Sequence, residues 1–144
     1  MTDNTGNDEV VSDYYENYTQ TQKEIFAIEI RKTRNTLIIM AIIVFASDLL
    51  SLLIANALYV ENLLYIIVIP AILVALALLA LKEPLLAMII AVIVVTGIWI
   101  YAIVITGGRA AIMGWLIKAI IVYFMIKGFH HAAEANKIKR ELKF

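Results

Sequence analysis

Four long apolar runs occupy the middle of the chain, separated by short polar breaks, and polar segments flank them on both sides. The first run extends from Leu37 to Tyr59. The second, Asn62 to Leu81, lies between Glu61 and the pair Lys82-Glu83. The third, Leu85 to Ile105, follows Pro84, which suits the first turn of a helix because its missing N–H is not needed there. The fourth, Ala110 to Phe129, follows the turn "TGGR", where Gly107 and Gly108 permit positive φ. Each run is near the ~20 residues a helix needs to cross a hydrocarbon core about 30 Å thick. In lipid every backbone amide must find its partner within its own segment, which predicts helices. Transmembrane strands would alternate polar and apolar residues, and these runs do not.

Composition agrees. Of the 144 residues, 62% are hydrophobic and 17% charged, against about 45–50% and about 25% in soluble domains. From Leu37 to Ile126 the only charged residues are Asp48, Glu61, Lys82, Glu83, Arg109 and Lys118. Such a stretch keeps no polar face for water and has to meet lipid. The absence of cysteine excludes disulfides, thiolate metal sites and thiol nucleophiles. The first apolar run follows a long segment carrying Asp3, Asp8, Glu9, Asp13 and Glu16 rather than a short basic start. The first span is therefore expected to be retained as its own insertion signal.

Lys and Arg set the expected orientation. Arg31, Lys32 and Arg34 precede the first span, Lys82 lies in the second loop, and Lys127, Lys137, Lys139, Arg140 and Lys143 follow the start of the last polar segment. With four spans all of these fall on one side, and only Arg109 marks the other. Both termini are thus expected in the cytoplasm. Tyr59, Tyr65, Tyr101 and Trp115 fall near the outer ends, where an aromatic belt belongs. Short loops make consecutive helices antiparallel neighbours. The expected fold is all-α: an integral membrane four-helix up-down bundle (37–59, 62–81, 85–105, 110–129) with cytoplasmic helical extensions at both ends.

The flanks read differently from each other. Residues 1–11 are polar and acidic and are expected to be disordered. Residues 12–36 take a helical pattern, with Tyr14, Tyr18, Ile25 and Ile28 on one face and "TQKE" at 21–24 resembling a capping box. This helix either frays beside the membrane or lies on the bilayer or another chain. Residues 130–144 extend the fourth helix as a basic cytoplasmic helix. Residues 1–36 carry net charge −3 and residues 127–144 carry +3. The ends are thus able to pair with each other, or the basic one with anionic lipid. His130 and Glu134 form an i, i+4 pair, but two ligands fall short of the three or four that zinc takes. His130 and His131 are read as interfacial histidines, and no metal or cofactor is expected.

Two charges remain at depth. Asp48 lies about eleven residues into the first span, roughly 16 Å from its start. Lys118 lies at a similar depth, roughly 15 Å, in the fourth. Either alone would cost about 2.5–3.5 kcal/mol to insert, and together they neutralise each other. Ser47, Ser51 and Asn56 lie on or beside the same polar stripe, while Pro70 removes a donor in mid-span of the second helix. An ion-pair lock that fixes helix register is the favoured reading, with a proton or ion relay as the second and a Lys118 that reaches headgroups as the third.

In size, and in placing an acid in the first helix, the chain resembles the small multidrug exporters. The residues around Asp48 lack that family's pattern and Lys118 opposes a cation there, so the resemblance brings no site with it. The ends "EIRKTRN" and "KGFHHAAEANKIKREL" are similar to those of small bacterial membrane proteins, which sets the expected location in a bacterial cytoplasmic membrane. No nucleophile–base constellation or phosphate loop is present, so an enzyme is not expected. Nucleic acid is excluded because the basic tail is short and lacks stacking aromatics. The expected function is association, as a homo-oligomer or as an accessory to another membrane protein. The alternative is a small oligomeric channel or transporter with Asp48 as its ion or proton site.

Overall fold

The computed structural model describes residues 5–54, 60–105, 107–108 and 114–142, with side chains over 11–54, 64, 66–105, 107–108 and 114–142. Among these residues every regular element is a helix: α1 Thr5–Ile54, α2 Val60–Leu79, α3 Pro84–Ile105 and α4 Trp115–Glu141. Asn56, Tyr59 and Arg109, and the side chain of Tyr65, lie outside the described residues. Three helices, α1, α3 and α4, are long and apolar enough to cross a membrane. In α2 the described side chains form a shorter apolar helix, Ile66–Leu79.

α1 has 50 residues and is therefore about 75 Å long. That exceeds any hydrocarbon core, so part of it must stand in water. It begins at Thr5, within the segment whose composition favours disorder. It then passes residues 36 and 37 without interruption, so the expected boundary there is a change of surroundings and not a break. Once nucleated, a helix propagates at little cost per residue. Thr21 accordingly sits in mid-helix and donates its hydroxyl to the carbonyl of Asn17 at 2.9 Å, so "TQKE" caps nothing.

The other boundaries shift for identifiable reasons. α2 stops at Leu79, two residues before the expected end. Its last carbonyls are taken up in a turn, with Lys82 and Glu83 donating to Leu79 at 3.0 Å. Pro70 lies inside α2, which continues through it. Described α4 starts at Trp115, because Gly114 adopts φ 68° and caps it.

α1 packs mainly on α4 and α2, and α3 closes the bundle between α2 and α4. α1 and α4 run antiparallel. Glu29 meets His131, and a turn or two further along α1 Thr36 lies against Gly128. Around this seam Thr33, Leu37, Met40 and Ala41 are buried on α1, and Met125, Gly128, Ala132 and Ala135 on α4, at helical spacing. A Cβ on Gly128 would lie 2.9 Å from both Thr36 Cγ2 and Met88 Cε. Close approach of backbones through small residues is how helices associate in lipid, where the hydrophobic effect between them is absent.

In the N-terminal half of α1 the bundle covers a face other than that of Tyr14, Tyr18, Ile25 and Ile28. Tyr14, Tyr18, Ile25 and Ile28 are all exposed, whereas Ile30 and Thr33 are buried and Gln22, Phe26 and Glu29 are half-buried. Thr33 and Thr36 enter the seam because each hydroxyl donates back to a carbonyl one turn earlier, at 3.0 and 2.9 Å. That leaves only a methyl to pack.

Candidate functional site

The seam that closes one end of the bundle opens at the other. Continue the buried stripe of α1 from Thr33, Leu37 and Met40 and it reaches Val44, Ser47, Asp48 and Ser51. Continue that of α4 backward from Gly128 and Met125 and it reaches Ile121 and Lys118. These residues line a cavity of about 710 Å³ between α1, α3 and α4. Trp99, Ile98 and Ile117 form much of its apolar wall. Asp48 and Lys118 are both half-buried. They are the only ionisable groups among the described lining residues. Ser51 donates its hydroxyl to the carbonyl of Ser47 at 2.8 Å.

The ion pairs among the described residues do not include Asp48 with Lys118, but the two lie near one height. Counting from the Glu29–His131 and Thr36–Gly128 contacts along the antiparallel pair, the Cα of Asp48 lies roughly 3–9 Å farther toward the open end than that of Lys118. Side chains on a helix lean toward its N-terminus. For α1 that direction is toward the closed end, and for α4 toward the open end. Along the bundle axis the two side chains thus lean toward the same level.

A second polar cluster sits at the closed end. His131 Nδ1 lies 2.6 Å from Glu29 Oε2, and Lys32 Nζ donates to Glu29 Oε1 at 2.7 Å. Glu29 is only 12% exposed and His131 16%. Burial pushes the Glu29 carboxyl up, but the hydrogen bonds and charges of Lys32 and His131 outweigh it and leave the group below its ordinary value. Beside it Lys139 reaches across to the α2–α3 turn, where it meets the Glu83 carboxylate at 2.5 Å and the Lys82 carbonyl at 3.1 Å.

Sequence reasoning named His131 without its partner. Glu29 was the missed residue, and its signal was faint: one acid in the basic stretch "EIRKTRN", three residues before Lys32. His130, by contrast, is exposed, with its ring 6.0 Å from that of His131, and Glu134 is exposed as well. Among the described residues no three His, Cys, Asp or Glu side chains gather as metal ligands would. Of the expected polar stripe, Ser47, Asp48 and Ser51 reach the cavity, and Asn56 lies outside the described residues.

No protein-family model matches the chain. No curated protein and no solved structure matches it either.

Proposed function

We propose that this chain is an integral membrane subunit with four spans and both termini in the cytoplasm, acting by association and not by catalysis. The carrying observation is the N-terminal part of α1. Counting along the antiparallel pair, α4 ends level with about residue 20 of α1. Beyond that point Val11 to Tyr18 are exposed all round. Tyr14 is 69% exposed and Tyr15 65%. These turns bury nothing in this chain, and the stripe Val11–Tyr15–Tyr18 continues the seam that α4 covers lower down. A protein surface is its natural cover. Anionic lipid is a poor one, since residues 1–20 hold five acids and no base.

In this reading the Asp48–Lys118 ion pair locks α1 to α4, and the basic C-terminal segment meets anionic headgroups. The occupant of the projecting helix is a second copy or another membrane protein. The test is the assembly state in lipid nanodiscs of the native chain and of a Tyr14→Ser/Tyr15→Ser/Tyr18→Ser variant. The native chain is expected in a larger assembly, alone or with a co-purifying chain, and the variant as a monomer. A native chain that is monomeric and alone would end the proposal.

The cavity favours a second reading, a small oligomeric channel or transporter with Asp48 at its ion or proton site. Ion flux into vesicles that disappears in Asp48→Asn would support it. Flux unchanged by that substitution, or none at all, would remove it.

A further inference from the structure

Among the described residues one side-chain nitrogen is buried without a hydrogen bond, the Nε of Arg34. A buried donor left unpaired is rare enough to call for a cause. Protein encloses the Nε but not the two terminal nitrogens, and the residue as a whole is half-buried. The ion pairs among the described residues do not include Arg34.

Position gives the guanidinium its surroundings. Arg34 stands three residues before Leu37, where the first apolar run starts, and so about 4.5 Å outside it. At about 100° per residue it is roughly 140° around α1 from Glu29 and roughly 160° from Thr36, the residues that meet α4. That leaves it on the side of α2, the other main neighbour of α1. Thr36 and Met88 both lie against Gly128 and so share a height. The Cα of Arg34 is then roughly 3 Å farther into the bundle than that of Pro84. Its side chain leans outward, toward the N-terminal end of α1, and comes level with the α2–α3 turn.

The acids near this height on α1 and on the turn are already taken. Glu29 accepts from Lys32 and meets His131, and Glu83 meets Lys139. Arg31 and Lys82, both exposed, stand near Arg34 in height and add charge of the same sign. A planar guanidinium matches two phosphate oxygens at once. Because its Nε is already enclosed, this one has less rotamer freedom to lose on binding.

We infer that Arg34 holds a phosphate group, with Arg31 and Lys82 adding positive charge around it. Two sources share this chemistry, an anionic phospholipid of the adjoining leaflet and free phosphate. The inference rests on the membrane-spanning reading and not on association, and ligand bound per chain is counted whether the chain is monomeric or assembled.

The test is native mass spectrometry of the full chain from nonionic micelles. The chain is titrated with phosphatidylglycerol and, separately, with diacylglycerol of the same acyl chains. One saturable phosphatidylglycerol per chain is expected, with diacylglycerol at least about tenfold weaker. Arg34→Lys keeps the charge and loses the fork, and should weaken phosphatidylglycerol at least about fivefold. Arg31→Lys, at an exposed position, should change it by less than about twofold. Lys82→Gln should weaken it about fivefold, through charge alone. Millimolar inorganic phosphate that displaces the lipid from the native chain assigns free phosphate as a ligand. Lipid that stays bound assigns the phospholipid, and both support the inference. If Arg34→Lys fails to fold, the comparison with diacylglycerol on the native chain and the Lys82→Gln titration decide. Diacylglycerol bound as well as phosphatidylglycerol, no lipid retained, or equal losses in Arg34→Lys and Arg31→Lys overturns the inference.

Discussion

The imidazole of His131, near the C-terminal end of α4, lies 2.6 Å from the carboxylate of Glu29 on α1, across 102 residues of sequence. This contact fixes the register of the two helices and with it the height of every residue along their seam. Its neighbour Lys32 takes the second carboxylate oxygen, so Glu29 accepts from its own helix and from the facing one at once.

Acid should weaken this end of the bundle first. Burial raises the Glu29 carboxyl, but Lys32 and His131 lower it further, so its folded-state pKa falls below the ordinary 4.5. A depressed pKa contributes stability that is complete above the unfolded value and lost as pH falls through the folded one. Native protein in micelles should therefore lose stability as pH drops below 4.5. Glu29→Gln should be less stable at neutral pH, by about 1–3 kcal/mol from the lost charged hydrogen bonds. Its stability should vary less over the acid range. Denaturant titrations at several pH values check this, and two curves that stay parallel into acid would show that Glu29 is not the titrating group.

Gly128 is the tightest point of the seam. A methyl there would press on Thr36 Cγ2 and Met88 Cε at 2.9 Å. Met88 ends in a flexible thioether and can yield. Thr36 is β-branched, and its hydroxyl is tied to the Lys32 carbonyl, so it yields less. Gly128→Ala gains up to about 1 kcal/mol of helix propensity and loses about 1–3 kcal/mol to overpacking. The expected net is a modest loss, measured as a lower unfolding midpoint. Gly128→Leu should fail to assemble. Adding Thr36→Ser, which removes the offending methyl, should recover most of the Gly128→Ala loss. An alanine variant as stable as the native chain would show that α1 and α4 are held less closely.

The ion pair of Lys139 with Glu83 is of a different kind. Glu83 is 49% exposed, and exposed pairs contribute about 0–1 kcal/mol. Lys139→Ala should leave the unfolding midpoint nearly unchanged. What it should change is the α2–α3 turn, since the same ammonium also holds the Lys82 carbonyl. Faster proteolysis between Lys82 and Pro84, with unchanged global stability, is the expected outcome, and it should also appear in the native chain at high salt. A large loss of global stability would contradict the surface assignment.

These sites differ in how far the sequence exposes them. The apolar runs are legible because lipid admits few backbone solutions, and a run of about 20 residues between charges is enough to mark one. Asp48 and Lys118 are legible as charges at depth, since position along a helix converts to height. The partner of His131 is not legible, because register between helices far apart in sequence depends on which small residues interdigitate. Gly128 carried a weak signal, a lone glycine inside a helical pattern. Which residues of α1 the bundle covers is less legible. Tyr14 and Tyr18 look apolar and stand in the open, while Thr33 and Thr36 look polar and are buried by satisfying their hydroxyls locally.

The proposed Asp48–Lys118 lock makes the sharpest energetic prediction. Both side chains line one cavity, at similar height along the bundle. An intramembrane charge left alone costs about 2.5–3.5 kcal/mol, and removing one partner of a buried pair leaves that cost on the other. Asp48→Asn and Lys118→Ala should each destabilise the chain by about 1–3 kcal/mol. The double variant should lose little more than either single one, because it leaves no orphaned charge. The coupling read from the cycle should be at least about 1 kcal/mol. If the two losses simply add, the charges act separately. Lys118 would then meet water or headgroups at the open end, and α1 and α4 would be held by the seam between Thr33 and Ala132 alone.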